Sequence, residues 1–129
     1  MVLYDNHNHS QFSFDGKRTS VEDSARAAAE HGLGGICFSD HCDFYVPPMK
    51  ASFENLVPEY FDVAAQQAEI ERVQKALGDS IRVLKGIEIG MYRDCRTEIR
   101  KVMVENSFDQ VIASVHYIEE TDPYYGGYY

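Results

Sequence analysis

Histidine and carboxylate side chains stand where short apolar runs of this chain end. Val2-Leu3-Tyr4 leads into His7-Asn8-His9, and Gly35-Ile36-Cys37-Phe38 leads into Ser39-Asp40-His41. Ile81 to Leu84 leads through Gly86-Ile87 into Glu88, and Val111-Ile112-Ala113 through Ser114-Val115 into His116. Imidazole and carboxylate together suit zinc, iron and manganese, and a carboxylate can bridge two ions. Strands that each deliver such a ligand at the same end describe a metal site on the rim of a β/α barrel, where barrel chemistry collects. The chemistry expected is metal-dependent catalysis.

His7 and His9 alternate with Asn8, so in an extended chain both rings face one way and can share a metal. Such a pair also occurs in strands for packing alone. Its weight comes from Asp15, Asp40-His41, Glu88 and His116 at matching positions of the other units. Asp15 ends a polar turn, Ser10-Gln11-Phe12-Ser13-Phe14-Asp15-Gly16. Either Phe12 and Phe14 simply tuck the turn against the fold, or Asp15 turns back to the metals while the turn walls the site. Asp40 is expected to hold an imidazole in orientation, as ligand histidines require. Cys42 reads as a small packed residue, with a zinc thiolate as the alternative. Lys17-Arg18 reads as a solvated helix start or as a phosphate contact. His31, beside Gly32 in the last turn of a helix, is read as structural, since imidazolium there favours the helix dipole.

Strand and helix alternate to position these groups. Thr19-Ser20-Val21-Glu22-Asp23 has the spacing of a helix start, Val21, Ala25, Ala28 and Ala29 recur at helical spacing, and Gly32 makes the stop. A second strand is expected over Leu33 to Phe38. Pro47-Pro48 and Pro58 break residues 43–58 into a long loop at the end of that strand, with Pro58 able to open a second helix. In that helix Phe61, Ala65 and Ala68, with Ala64 beside them, are expected to form one face, which Ile70, Val73 and Leu77 extend and Gly78 closes. A third strand follows from Ile81 towards Glu88. Asp94 is expected to cap a third helix carrying Cys95, Ile99, Val102 and Met103 on one face. A fourth strand covers Gln110 to Val115. This βαβαβαβ order implies a parallel sheet with right-handed crossovers.

The 129 residues suit one domain, and 44% hydrophobic content supports a core. A net charge of −9 argues against unaided binding to nucleic acid or an anionic membrane. It also opposes a phosphorylated substrate unless bound cations reverse the field locally. No basic segment followed by an apolar core opens the sequence, and no apolar stretch nears the ~18 residues of a membrane span. Three cysteines without a CxxC pair suit a reducing compartment. A cytoplasmic location is expected.

The motifs resemble those of the PHP (polymerase and histidinol phosphatase) superfamily, in its histidinol-phosphate phosphatase branch. His7-Asn8-His9-Ser10 with Phe12 to Gly16 is similar to its first motif, Gly35 to Asp43 to its second, Gly86-Ile87-Glu88-Ile89-Gly90 to its third, and Ala113 to Ile118 to its fourth. Asp122-Pro123-Tyr124-Tyr125-Gly126 fits a stretch typical of that branch. The resemblance implies an α/β fold, a distorted (β/α)7 PHP-type barrel holding up to three divalent transition-metal ions (Zn, Mn or Fe), of which this chain carries about the first four βα units. It implies that His7 and His9 bind one ion, that Glu88 bridges it to a second served by His116, and that Asp15 and His41 serve the third. Glu88, His116 and Asp40 are the catalytic candidates. The implied activity is hydrolysis of L-histidinol phosphate to L-histidinol and phosphate, a step of histidine biosynthesis. Another small phosphate ester or nucleotide, or a metal-binding remnant without activity, are the alternatives. Family members continue with further strands, another histidine or cysteine ligand, a late Asp-x-His pair and basic residues that grip phosphate. Four strands cannot close a seven-stranded barrel, so residues 1–129 are expected to be the N-terminal part of a longer domain, or else a chain that completes itself by self-association.

Overall fold

The structure, a computed structural model, describes residues 2–45 and 61–118. Its elements are β1 (Tyr4–Asn8), α1 (Val21–Glu30), β2 (Gly35–Phe38), β3 (His41–Cys42), α2 (Val63–Leu77), β4 (Arg82–Gly90), α3 (Arg96–Glu105) and β5 (Gln110–Ser114), with single 3-10 turns before β4 and α3. Every strand pairing is parallel, as the alternation implies. β1 lies beside β2, β2 beside the first half of β4, and the two-residue β3 prolongs that flank along the second half. β5 takes the other flank of β4, from Gly86↔Gln110 to Gly90↔Ser114. The outer strands also meet across the concave side, where the Gln110 side chain donates to the Asn6 carbonyl at 2.8 Å. The sheet is therefore curled, a partial barrel with β4 at its middle.

Local chemistry explains the helix ends. The Ser20 hydroxyl accepts from the Asp23 amide at 3.0 Å and so caps α1, while Gly32 ends it with a positive φ of 76°. α2 is capped by Asp62, which accepts from the Ala65 amide. α3 departs from expectation. Asp94 sits inside the 3-10 turn Arg93–Cys95, and the α-helix after it starts with no side-chain cap. The Pro58 start, most of the 43–58 loop and the Thr121–Tyr129 tail lie outside the described residues.

Helices cover the convex face in two patches. Val21, Ala25 and Ala28 of α1 and Ile70 and Val73 of α2 pack on Ile36, Phe38, Ile81 and Val83. Ile99 and Val102 of α3, with Phe61 and Val63, pack on Cys42, Ile87 and Ile89. The buried side of α2 differs from expectation: Ala65 and Ala68 are exposed, and Gln66 is fully buried in line with Ile70 and Val73. An apolar count cannot see this, because the inward position is polar and makes hydrogen bonds to the sheet.

This division of α2 has a measurable consequence. Ile70→Ala should cost about 2–5 kcal/mol in urea unfolding, the usual range for emptying a packed site. Ala68→Ser on the exposed side should stay within about 0.5 kcal/mol.

Candidate metal centre

Glu88 stands near the end of β4, between Ile87 and Ile89, which face the helices. Alternation turns its carboxylate to the concave side, where it is 5% exposed. Its Oε2 lies 3.0 Å from His7 Nε2 and 3.1 Å from His9 Nε2, and those two nitrogens are 3.1 Å apart. Its Oε1 lies 3.0 Å from His116 Nε2 and accepts from the Ser114 hydroxyl. Four groups from two strands and their loops thus converge on one carboxylate.

The second convergence is on His41. Asp15 does turn back: its Oδ2 is 2.8 Å from His9 Nδ1 and 3.6 Å from His41 Nε2. Phe12 packs against the core, while Phe14 stacks on the His41 ring with centroids 4.9 Å apart. The two aromatics thus divide, Phe12 tucking the turn against the fold and Phe14 lying over the histidine cluster. His41 Nδ1 is buried without a hydrogen-bond partner, 3.5 Å from Glu88 and 3.6 Å from Asp43.

Asp43 was not among the expected ligands. It is buried, its Oδ1 lies 2.8 Å from His116 Nδ1, and a Cβ at Gly90 would stand 1.8 Å from that same oxygen, so only glycine leaves Asp43 its place. The signal was available: His41 and Asp43 alternate around Cys42 as His7 and His9 do around Asn8. Gln66 also escaped notice, for want of any motif.

Asp40 departs from expectation. It is fully buried, but its carboxylate accepts from the Ser10 amide at 2.6 Å, the Ser10 hydroxyl at 2.8 Å and the Gln66 amide at 2.7 Å. These bonds are to a turn and a helix, and no imidazole is among them. Cys42 packs with Ile87 and Ile89 as a small core residue, and burial, aided by Asp43, pushes its thiol up to about 12. His31 ends α1 with its amide on the Ala27 carbonyl, apart from the cluster. Lys17 and Arg18 are exposed beside an open groove of about 430 Å³ bounded by His7, His9, Asp15 and Thr19.

Burial pushes the Glu88 carboxyl up, but hydrogen bonds from His116, His9, Ser114 and His7 prevail and hold it well below the carboxylate range. The Glu88 hydrogen bond raises His9 to about 9 against the effect of burial, with Asp15 assisting. Burial lowers His116, yet Asp43 and Glu88 outweigh it and bring it to about 9. His41 goes the other way: burial, with the like charges of His9 and His116, depresses it and keeps a neutral ring.

This donor set fits divalent metal ions. Three groups have ligand atoms within 4.8 Å of one another: His7, His9 and Glu88; His9, Asp15 and His41; His41, Asp43 and His116. Nitrogen and oxygen ligands about 2.0–2.1 Å from a tetrahedral zinc stand roughly 3.3 Å apart, close to the 3.0–3.1 Å spacing of the first group. His41 Nδ1, buried with no hydrogen-bond partner among the described residues, is an orphaned polar atom that a cation would satisfy.

A sequence model of the PHP domain matches residues 5–129. The histidinol-phosphatase of Lactococcus lactis is 39% identical over 126 residues, which are 98% of this chain and 44% of that protein. A protein of Deinococcus radiodurans named "Probable histidinol-phosphatase" is 34% identical over 119 residues, 90% of this chain and 43% of its own length. Among solved structures, histidinol phosphate phosphatase from Lactococcus lactis, complexed with zinc, L-histidinol and phosphate, superposes with a TM-score of 0.75 at 32% identity, over 92% of this chain and 42% of that one. The chain thus spans under half the length of these relatives, and its curled parallel sheet is part of a PHP-type barrel.

The protonation states predict how metal uptake depends on pH. The raised values of His9 and His116 stabilise the metal-free fold fully below the ordinary 6.5, and that contribution is lost as pH rises through about 9. Metal needs the deprotonated rings, so zinc affinity should climb with pH up to about 9 and then level. Calorimetry in buffers of different ionisation enthalpy should read about two protons released near pH 7.5. Levelling at pH 7 would show that the two rings are not held protonated.

Proposed function

The chain belongs to the PHP domain family, and on that premise we propose that it supplies the first four βα units of a metal-dependent phosphomonoesterase that hydrolyses L-histidinol phosphate to L-histidinol and phosphate. The observation that carries the reading is the two-sided Glu88 carboxylate, with His7 and His9 on one oxygen and His116 on the other. The names of the relatives, and the zinc, L-histidinol and phosphate of the structural neighbour, support the substrate.

In this proposal His7, His9 and Glu88 hold one ion, Glu88 and His116 with Asp43 a second, and Asp15 and His41 a third; Zn, Mn and Fe all suit these ligands. Bound divalent ions supply an acidified water and the positive charge that phosphate hydrolysis requires. Glu88, held ionised, contributes a fixed negative charge and no proton. Phe14 over His41 keeps water from one side, and the open groove bounded by His7, His9 and Asp15 gives room for a substrate. Glu88 and His116 are proposed as the catalytic residues, acting through the ions they would hold; Asp40 acts through the turn it holds.

Residues 1–129 would then be the N-terminal part of the barrel domain. Val111 and Val115 are 41% and 49% exposed at the β5 edge, and we place a pairing partner there, so that the 129-residue chain alone self-associates. A species sedimenting above 14.7 kDa is expected, whereas a compact monomer would remove the partner. Cytoplasmic residence is proposed from the three free cysteines. Among the described residues no helix is long and apolar enough to cross a membrane.

Assays with histidinol phosphate, a nucleoside monophosphate and an aryl phosphate, each with Zn, Mn or Fe, separate the substrate readings from an inactive metal-binding remnant. The site itself is tested by metal content. Glu88→Gln should lower it at two positions, His116→Ala mainly at one, and His31→Ala at none. Loss of a single ion in Glu88→Gln would count against bridging.

A further inference from the structure

We infer that Gln66 is a positioning residue of the metal centre, which through Asp40 and Ser10 sets the turn that presents Asp15; this rests on the metal reading above. Gln66 lies on the buried side of α2, in line with Ile70 and Val73, where packing alone would place an aliphatic side chain. Its amide nitrogen donates to Asp40 Oδ2 at 2.7 Å and lies 3.2 Å from the Phe38 carbonyl and 3.4 Å from that of Gly86. Its Oε1 is buried with no hydrogen-bond partner among the described residues. A buried amide left half satisfied is costly, and what it secures is the Asp40 carboxylate.

Asp40 passes that constraint on. Both its oxygens are taken by Ser10, one by the amide and one by the hydroxyl. The Ser10 carbonyl accepts from the Ser13 amide at 3.0 Å, and the Ser13 carbonyl from the Gly16 amide at 3.2 Å, which winds the turn. The Ser13 hydroxyl then donates to Asp15 Oδ1 at 2.6 Å and accepts from the His41 amide at 3.3 Å. Asp15 Oδ2 is thereby left towards His9 and His41. The only route from α2 to Asp15 that these bonds describe runs through Gln66, and it reaches the His9–Asp15–His41 group without touching His7 or His116.

Zinc titration of the purified chain by equilibrium dialysis, with elemental analysis, tests this. Gln66→Leu should weaken one ion by about 10-fold or more, the usual effect of removing a group behind a ligand. The loss should match that of Asp15→Ala and leave the ion of His7, His9 and Glu88 in place. Gln67→Leu, whose amide reaches the exposed Ser107 carbonyl, should change neither. Amide hydrogen exchange in the metal-free chain supplies a second reading: Gln66→Leu should speed exchange at Ser13 and Gly16, and Gln67→Leu should not. If Gln66→Leu does not fold, Ser10→Ala, which removes the hydroxyl from Asp40, should give the same two signatures. Wild-type zinc uptake in Gln66→Leu, equal weakening of all ions, or failure of both variants to fold overturns the role. If the wild-type chain takes up no zinc, the metal reading fails, and exchange at Ser13 and Gly16 alone decides whether Gln66 holds the turn.

Discussion

A carboxylate buried at the end of a central strand cannot stay ionised without donors, and the architecture around Glu88 is the answer to that constraint. Its partners come from both sides of the sheet: His7 lies near the end of β1 and His9 just after it, two strands away, while Ser114 ends β5 and His116 follows it, immediately adjacent. A flat sheet would carry β1 away from β4. The curl recorded by the Gln110–Asn6 contact brings both ends over the same carboxylate.

The pleat of β4 serves two solvents at once. Ile87 and Ile89 face the helices, and Gly86, Glu88 and Gly90 face the concave side. The two glycines leave room for neighbours: Cys37 and the Phe38 carbonyl crowd one, and Asp43 the other. A one-residue slip of this strand would put isoleucine in the site and the carboxylate in the core. Fold and site therefore share one register.

Electrostatics follow from the same packing. With three carboxylates among four histidines, protons on His9 and His116 offset most of the negative charge of the cluster in the metal-free chain. Exchanging those protons for divalent cations would turn a residually negative cluster into a positive one, the local reversal that an anion site on a chain of net charge −9 requires. Cations bound here are worth most where water is least, beneath Phe14 and beside the buried Asp43.

Much was legible in the sequence because it obeys short-range rules. Period-two alternation marked His7 with His9, apolar runs marked four of the five strands, missing only the two-residue β3, and Ser20 and Gly32 marked the ends of α1. Ligands that follow a run by a few residues can be read from the run alone. Other features are set by distance in space. Asp40 lies beside His41 in the chain, yet its partners are Ser10 and Gln66, 30 and 26 residues away. Gln66 interrupts an apolar face, and nothing local tells a buried amide from an exposed one. Asp94 has the type of a cap, but its turn tightens into 3-10 geometry before the helix begins. Residue type and spacing determined which groups could reach the site; which of them meet the Glu88 carboxylate and which hold a turn was decided only when the curled sheet brought distant strands together, because hydrogen bonds form between neighbours in space.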